Sequence, residues 1–284
     1  MATGSMVGGV WGAGMNGEGT GKGRVRDEYI DPMFSRLPDR TLLLPRWPTL
    51  ASRCEVCRSW PAQPVCQPCI ARFSSPWPRC QTCAIALPAD LSMGLRTGPA
   101  MCTACVLQRP PLDQSFAAVT YAYPWSGLVN RYKFDNQPGW APVFAALMTQ
   151  APGVRDMLHG LEAADWMLPM PLSAQRLQTR GFNQAWQLVT ALARQSRSAA
   201  RTDARLLLRI KDTRPQSQLT RVDRLVNVKG AFSVDPLRCG ELQGRRVILV
   251  DDVMTSGASL FSAAAVLCQA GATHVTAMVF ARTE

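Results

Sequence analysis

Four closely spaced pairs of cysteines mark the first part of the chain. Eight of its ten cysteines fall into Cys-x-x-Cys pairs, namely Cys54/Cys57, Cys66/Cys69, Cys80/Cys83 and Cys102/Cys105. A Cys-x-x-Cys turn directs two thiolates to the same side of a tight loop and so supplies half of a tetrahedral zinc shell. The four pairs therefore predict two zinc sites, each closed by four thiolates and structural in role.

Two questions about these cysteines stay open at this level. Disulfides would require an oxidising compartment, and the glycine-rich start of the chain has no hydrophobic signal core. An iron–sulfur cluster is the other alternative. The pairs can combine in chain order or in an interleaved order. Because Cys54–Cys105 is rich in proline and poor in aliphatic residues, we expect bound metal to supply its folding energy.

A second chemical signal lies in residues 247–259, which read VILVDDVMTSGAS. The apolar run Val247–Val250 is typical of a buried parallel strand, and ligands bind at the carboxyl ends of such strands. The small residues that follow Asp251 and Asp252 lead into an apolar helix, where free backbone N–H groups can hold a phosphate. Two carboxylates would repel a bare phosphate, so we expect them to face ribose hydroxyls or a Mg²⁺ ion shared with a pyrophosphate. The alternative, a helix cap, needs only one aspartate.

This segment resembles the phosphoribosyl-pyrophosphate signature of type I phosphoribosyltransferases. The resemblance implies that Asp251 and Asp252 contact the ribose 2- and 3-hydroxyls. It also implies that the 5-phosphate is held by Thr255, Ser256, Gly257, Ala258 and Ser259.

Three more segments extend the resemblance. They are Tyr121–Phe134 (YAYPWSGLVNRYKF), Pro169–Ala185 (PMPLSAQRLQTRGFNQA) and Ile210–Phe232 (IKDTRPQSQLTRVDRLVNVKGAF). With the cysteine pairs in front and the signature behind, their order resembles that of the ComF family of competence-associated proteins, also called GntX-like. The resemblance runs from about Ala51 to the C-terminus and implies a double zinc ribbon followed by a phosphoribosyltransferase-fold domain.

The same resemblance implies further contacts with the ligand. The turn that corresponds to the pyrophosphate loop of type I enzymes consists of Pro169, Met170, Pro171 and Leu172. Residue 170 is valine in the family, a difference of little weight if the backbone makes the contact. Residues 211–218 correspond to a flexible lid, in which Lys211 or Arg214 would neutralise pyrophosphate. The implied activity is phosphoribosyl transfer to an unidentified acceptor, with no residue assigned as its base.

The charge distribution supports a second hypothesis, a nucleic-acid-handling protein, and the family resemblance implies that it handles single-stranded DNA during natural transformation, together with DNA-uptake proteins. The formal net charge is +11, and residues 170–232 contain twelve lysines and arginines against three aspartates. A nucleic-acid backbone would use such a patch, and the candidate contacts are Arg176, Arg180 and Arg221. The phosphate site would then be regulatory or vestigial. A solvated basic face is the alternative interpretation.

Aromatic residues in Tyr121–Phe134 allow two interpretations. Tyr121, Tyr123, Trp125, Tyr132 and Phe134 alternate with Arg131 and Lys133. Bases of single-stranded nucleic acid stack on such rings. We favour the other interpretation, a packed contact between two small domains.

The elements that must position these residues follow an alternating order typical of an α/β fold with a mostly parallel sheet. The predicted strands are Phe116–Ala122, Trp166–Leu168, Leu206–Ile210, Ala231–Val234, Val247–Val250 and Thr273–Phe280. The predicted helices are Pro142–Gln150, Asn183–Gln195 and Gly257–Gln269.

These elements suggest three parts of the chain. We expect a disordered tail over residues 1–50, a double zinc ribbon over 51–108 and a phosphoribosyltransferase-like domain over 109–284. Met33 is an alternative translation start, because the segments with predicted structure follow it. No stretch is apolar and long enough to predict a membrane span, and we expect a soluble, cytoplasmic protein.

Overall fold

A computed structural model describes residues 52–74, 76–88, 100–211, 228 and 230–284. The chain from Leu50 to Glu284 forms one compact unit. The predicted tail over residues 1–50, with Met33, lies outside the described residues, as do Arg214 and Arg221.

The centre of this unit is a five-stranded sheet in which all neighbouring strands are parallel. Its strands, in the spatial order β1-β7-β6-β2-β3, are β1 (Gln114–Thr120), β7 (His274–Arg282), β6 (Arg246–Met254), β2 (Trp166–Pro169) and β3 (Arg201–Thr202). Strands β2, β6 and β7 are almost continuously apolar because helices cover both faces. The predicted α/β fold with a mostly parallel sheet is confirmed.

Two further predicted strands form a separate sheet. Strand β4 (Leu207–Arg209) pairs in antiparallel orientation with β5 (Phe232–Val234). Both contribute apolar side chains to the core beneath α8 (Ala258–Gln269). The sequence predicted these strands but not their separation from the main sheet.

Helices pack on both faces of the main sheet. Apart from α8, the α-helices of the described residues are α1 (Gln67–Phe73), α2 (Thr103–Leu107), α3 (Trp125–Phe134), α4 (Ala141–Gln150), α5 (Val154–His159), α6 (Ala174–Arg180) and α7 (Gln184–Ser196). Helices α3, α4 and α7 share a core with Ile248 and Val250, whereas α8 packs with Val247 and Leu249 on the opposite face. The alternation of side chains along β6 thus separates the two cores.

A helix that crosses a bilayer needs about 20 consecutive, mainly apolar residues. None of the helices, within the residues the structure describes, could cross a membrane.

Candidate functional site

Strand β6 extends four residues beyond its predicted end and includes both aspartates. The apolar run stops at Val250, but parallel pairing with β7 continues as far as Met254 opposite Arg282. Neighbouring residues of a strand point to opposite faces. Asp252 therefore shares a face with Val250, and Asp251 shares a face with Leu249.

The Asp252 carboxylate is buried and only half satisfied. Its side chain is 3% exposed, and Lys133 Nζ of α3 lies 3.0 Å from Oδ1. Its other oxygen, Oδ2, is buried and has no hydrogen-bond partner within the described residues. A buried acceptor without a partner costs free energy, so it is well suited to a ligand that donates a hydrogen bond or coordinates a cation.

The Asp251 carboxylate sits in a different electrostatic environment. Burial raises the pKa of Asp251 to about 7, and the neighbouring negative charge of Asp252 acts in the same direction. One oxygen of Asp251 accepts a 2.9 Å hydrogen bond from the backbone N–H of Asp252. The carboxylate pair therefore changes its charge near neutral pH, before any ligand is added.

The loop that follows β6, residues 255–259, is here called the phosphate loop. Gly257 precedes α8 with φ of 79°, a left-handed conformation that favours glycine. The Ser256 hydroxyl accepts a 3.4 Å hydrogen bond from the Ala258 amide. In the part of the chain that the structure describes, the amides of Thr255, Ser256 and Gly257 have no protein partner. Free amides at the start of a helix are suited to an anion.

The turn after β2 lies beside this loop in the sheet, because β2 pairs directly with β6. Met170 is buried, its amide donates to the Val250 carbonyl at 2.8 Å, and its carbonyl accepts from Asn183 Nδ2 at 3.2 Å. The Met170 backbone is thus fixed, and among the described residues the Leu172 amide has no protein partner. This turn can offer Leu172 N–H, but not Met170 N–H, to a ligand.

Arg180 lies close enough to the carboxylates to interact with both. Burial lowers the pKa of Arg180, while the negative charges of Asp252 and Asp251 raise it. Its guanidinium carbon is 5.1 Å from the centre of the Phe134 ring. Arg176 is half-buried one turn earlier on α6.

Lys211, in contrast, is exposed just after β4. No contact joins it to the phosphate loop or the carboxylates within the described part of the chain. Its predicted partner in the lid, Arg214, and the third predicted DNA contact, Arg221, lie outside that part.

The sequence interpretation did not assign Lys133 to the site. Its only signal was its position in Tyr121–Phe134, among the aromatic residues. Of those aromatic residues, Trp125 and Tyr132 are buried, and Trp125 donates a hydrogen bond to the Phe73 carbonyl, whereas Tyr132 packs against Phe144 and Phe182. Tyr132 also donates a 2.6 Å hydrogen bond to the Gln184 carbonyl. Tyr123 and Phe134 are 70% and 67% exposed, so they remain available for other contacts.

The eight paired cysteines form two groups, each with its sulfurs within 4.8 Å of one another. The first cysteine cluster consists of Cys54, Cys57, Cys66 and Cys69, and the second of Cys80, Cys83, Cys102 and Cys105. The pairs thus combine in chain order.

The spacing of the sulfurs fits a metal. Sulfur–sulfur distances are 3.9 Å for Cys54–Cys69, 3.6 Å for Cys57–Cys66 and 3.7 Å for Cys83–Cys102. A zinc tetrahedron with Zn–S bonds of about 2.3 Å has edges of about 3.8 Å. Each cluster could hold one zinc ion, and together they fit a double zinc ribbon.

Comparison with known proteins gives relatives over most of the chain. The sequence is 31% identical over 215 residues to the DNA utilization protein YhgH of Salmonella typhi, covering 74% of this chain and 92% of that protein. It is 33% identical over 181 residues to Competence protein F of Haemophilus influenzae, covering 64% and 78%. No protein-family model matches the chain.

Among solved structures, the allosteric regulatory enzyme of purine biosynthesis matches 50% of this chain and 25% of that chain, with 19% identity and a TM-score of 0.31. A TM-score this low does not support a fold assignment. The assignment of an α/β fold rests instead on the sheet topology.

Proposed function

This chain belongs to the ComF family of competence-associated proteins, and from that premise we propose that it binds Mg-phosphoribosyl pyrophosphate at the end of β6. Its relatives are named for competence and for DNA utilization. We propose that binding at the phosphoribosyl site serves the use of incoming DNA. Transfer of the phosphoribosyl group to an acceptor is the activity that this proposal implies.

The observation that supports the proposal most strongly is the unpartnered Asp252 Oδ2. Folding alone gains nothing from a buried carboxylate oxygen that lacks a hydrogen bond. A ribose hydroxyl would donate to this oxygen, as would a water molecule bound to Mg²⁺. Lys133 holds the other oxygen, so the orientation of the carboxylate is fixed before the ligand arrives.

Each of the remaining groups would bind a different part of the ligand. The free amides of Thr255, Ser256 and Gly257 would bind the 5-phosphate, helped by the N-terminus of α8. The Leu172 amide and the Arg180 guanidinium would bind the pyrophosphate, with Lys211 and Arg214 of the proposed lid closing over it. Mg²⁺ prefers carboxylate and phosphate oxygens, and Asp251 and Asp252 are the residues that would hold it through pyrophosphate or water. The bound ion would neutralise charge on the leaving pyrophosphate.

The test is calorimetric titration of Mg-phosphoribosyl pyrophosphate into the zinc-loaded chain. We expect saturable binding that is lost in an Asp251→Ala/Asp252→Ala variant and weakened at least tenfold by Asp252→Asn. The matched control is Asp135→Asn, because Asp135 is an exposed carboxylate at the end of α3. Absence of binding by the folded wild type would contradict the proposal.

The pH dependence of the same titration adds a second criterion. The Asp251 carboxylate accepts hydrogen bonds from the ribose most strongly when it is ionised, and burial raises its pKa to about 7. Affinity should therefore increase as the pH rises from 6 to 8, by up to about tenfold per unit below the pKa. Asp251→Asn should bind weakly with no such dependence, whereas an unchanged slope in that variant would exclude Asp251 from the site.

Binding of single-stranded DNA is the second candidate function. It is favoured by the exposed rings of Tyr123 and Phe134 and by Arg180, which lies over the Phe134 ring. We expect an Arg176→Ala/Arg180→Ala/Arg221→Ala variant to bind DNA more weakly and with a flatter salt dependence. Unchanged DNA binding by that variant would remove this patch from consideration.

A further inference from the structure

Arg282, the last residue of β7, connects the second cysteine cluster with the phosphate loop. Parallel pairing places it directly beside Met254, where β6 ends and the loop begins. The residue is only 6% exposed. Its backbone belongs to the sheet, but its side chain lies between two parts of the chain that the sequence separates by well over a hundred residues.

The guanidinium group of Arg282 divides its hydrogen bonds between these two parts. Its Nε donates to the carbonyl of Cys83, a member of the second cluster, at 2.9 Å. Its Nη1 donates to the carbonyls of Met254, Thr255 and Thr283. One rigid, planar group therefore bonds both to the turn that presents a metal-binding thiolate and to the first residue of the phosphate loop.

The charge of Arg282 has an unusual partner. No carboxylate forms a salt bridge with it in the part of the chain described above, and its hydrogen bonds go to carbonyls and to the Thr283 hydroxyl. A buried cation is costly, and the nearby negative charge of Glu284 offsets part of that cost. Four thiolates around one zinc ion have a net negative charge, and this charge would lie next to the guanidinium. The second cluster thus supplies what the buried arginine requires.

Phe261 makes a second contact between the same two regions. Its ring packs against the second cluster and also against the core beneath α8. A Cβ atom built on Gly257 would lie 2.5 Å from Cζ of this ring. The ring therefore lies directly against the backbone of the phosphate loop, and the Phe261 amide donates to the Gly257 carbonyl at 2.8 Å.

We infer that Arg282 is a positioning residue that makes the conformation of the phosphate loop depend on the second cysteine cluster and not on the first. With metal in the second cluster, the Cys83 carbonyl and the net negative charge hold the guanidinium, which holds the carbonyls of Met254 and Thr255. Without metal in the second cluster, Arg282 loses the contacts that fix its guanidinium group. The carbonyls of Met254 and Thr255 then lose the donor that holds the phosphate loop. The inference depends on the proposed function only for the identity of the ligand that the loop binds.

Hydrogen–deuterium exchange of the ligand-free chain tests this inference. The informative amides are those of Phe261 and Thr283, which donate to the carbonyls of Gly257 and Met254 and so close the two sides of the loop. We expect Arg282→Met to accelerate their exchange at least tenfold while the amides in the middle of β6 and β7 stay protected. The matched control is Arg246→Met, because Arg246 bonds to Asp165 at the opposite end of β6.

The metal is tested with one variant in each cluster. Cys102→Ser should lower the zinc content by one ion and accelerate exchange at Phe261 and Thr283, whereas Cys57→Ser should lower the zinc content equally and leave both amides protected. Protected amides in folded Arg282→Met, or equal acceleration by the two cysteine variants, would overturn the inference. Because no ligand is present, failure here is distinct from a failure to bind phosphoribosyl pyrophosphate.

Discussion

The two cysteine clusters have the same ligands and similar sulfur spacings, but they contact different parts of the fold. The first cluster contacts α3, where Glu55 pairs with Arg131 at 2.7 Å and the Phe73 carbonyl accepts a 2.7 Å hydrogen bond from Trp125 Nε1. The second contacts the end of the sheet through Arg282 and the N-terminal half of α8 through Phe261. In the part of the chain that the structure describes, Arg282 and Phe261 connect the phosphate loop to the second cluster and not to the first.

This difference shows that two metal sites of one type can have separate structural consequences. The first cluster is more open to solvent, since Cys57 is exposed and Cys66 half-buried, whereas three cysteines of the second cluster are buried. Glu284 adds further contacts between the end of the sheet and the segment around the second cluster. It pairs with Arg79 at 3.0 Å and accepts a 2.7 Å hydrogen bond from the Ala86 amide. We therefore expect the second ribbon to be part of the folding unit of the sheet.

The largest predicted effect comes from removing one complete half-site from each cluster. Cys80→Ser/Cys83→Ser should lower the free energy of unfolding by on the order of 5 kcal/mol or more, because it removes the metal and most of the negative charge beside the buried Arg282. Cys54→Ser/Cys57→Ser should cost about 1–3 kcal/mol and leave the sheet folded. Denaturant titration followed by circular dichroism, with zinc content measured in parallel, compares them. Equal losses would abolish the distinction between the clusters.

A second prediction concerns the contact of the first ribbon with α3. Trp125 is fully buried, lies edge-on to Phe280 with centroids 5.7 Å apart, and bonds to Phe73. Trp125→Ala should destabilise the chain by about 3–5 kcal/mol, and Trp125→Phe, which keeps most of the ring, by about 1–3 kcal/mol. Thermal unfolding measures both, and hydrogen exchange at Phe261 should remain slow below the transition. Faster exchange there would mean that the first ribbon also supports the phosphate loop.

Local motifs made much of this site predictable, and long-range contacts explain what was missed. The cysteine pairs and the phosphate loop are continuous segments in which spacing specifies the chemistry. Arg282 and Cys83, in contrast, are 199 residues apart, and only the folded sheet brings them together. Lys133 was known to be a cation among aromatic residues, but its contact with Asp252 depends on how α3 packs over β6.

The same limits apply to the secondary structure. The strand predicted from the sequence ended at Val250, because polar residues follow. In the structure, pairing with β7 extends β6 to Met254. Helices α1, α2, α3, α5 and α6 were not predicted. Helix α3 contains a glycine and three aromatic residues, which have low helix propensity. Tertiary packing stabilises such helices more than their own composition does.

A third prediction tests the contact between the phosphate loop and the second cluster. Gly257→Ala should cost about 2 kcal/mol, because alanine is strained at φ of 79° and its Cβ would meet the Phe261 ring. Phe261→Leu removes the ring, so the double variant should recover part of that cost. A double-mutant cycle by chemical denaturation measures the coupling. If the losses in the free energy of unfolding of the two single variants add up to that of the double variant, the Phe261 ring does not restrict the phosphate loop. Arg282 would then be the remaining connection between the loop and the second cluster.

The smallest predicted effect is a pH-dependent difference between two glutamates, one at each ribbon. A hydrogen bond and charge interaction with Arg131 lower the pKa of Glu55 below its usual value, which outweighs the opposing effect of burial. A lowered carboxyl pKa adds stability above the unfolded pKa of about 4.3, and this stability is lost as the pH falls through the lower folded value. Glu55→Gln should thus cost at most about 1 kcal/mol at pH 7 and less at pH 3.

The matched variant Glu284→Gln should act on the other ribbon. Glutamine keeps one oxygen, which can accept from the Ala86 amide, but it replaces with an NH2 group the oxygen that accepts from the Thr120 hydroxyl and pairs with Arg79. Denaturant titration at both pH values compares the variants, and exchange at Thr283 should accelerate in Glu284→Gln alone, because Thr283 adjoins Glu284 and closes the phosphate loop. Faster exchange of Thr283 in Glu55→Gln would show that the ribbons act on the loop together, since Glu55 has no contact with that end of the sheet in the described structure.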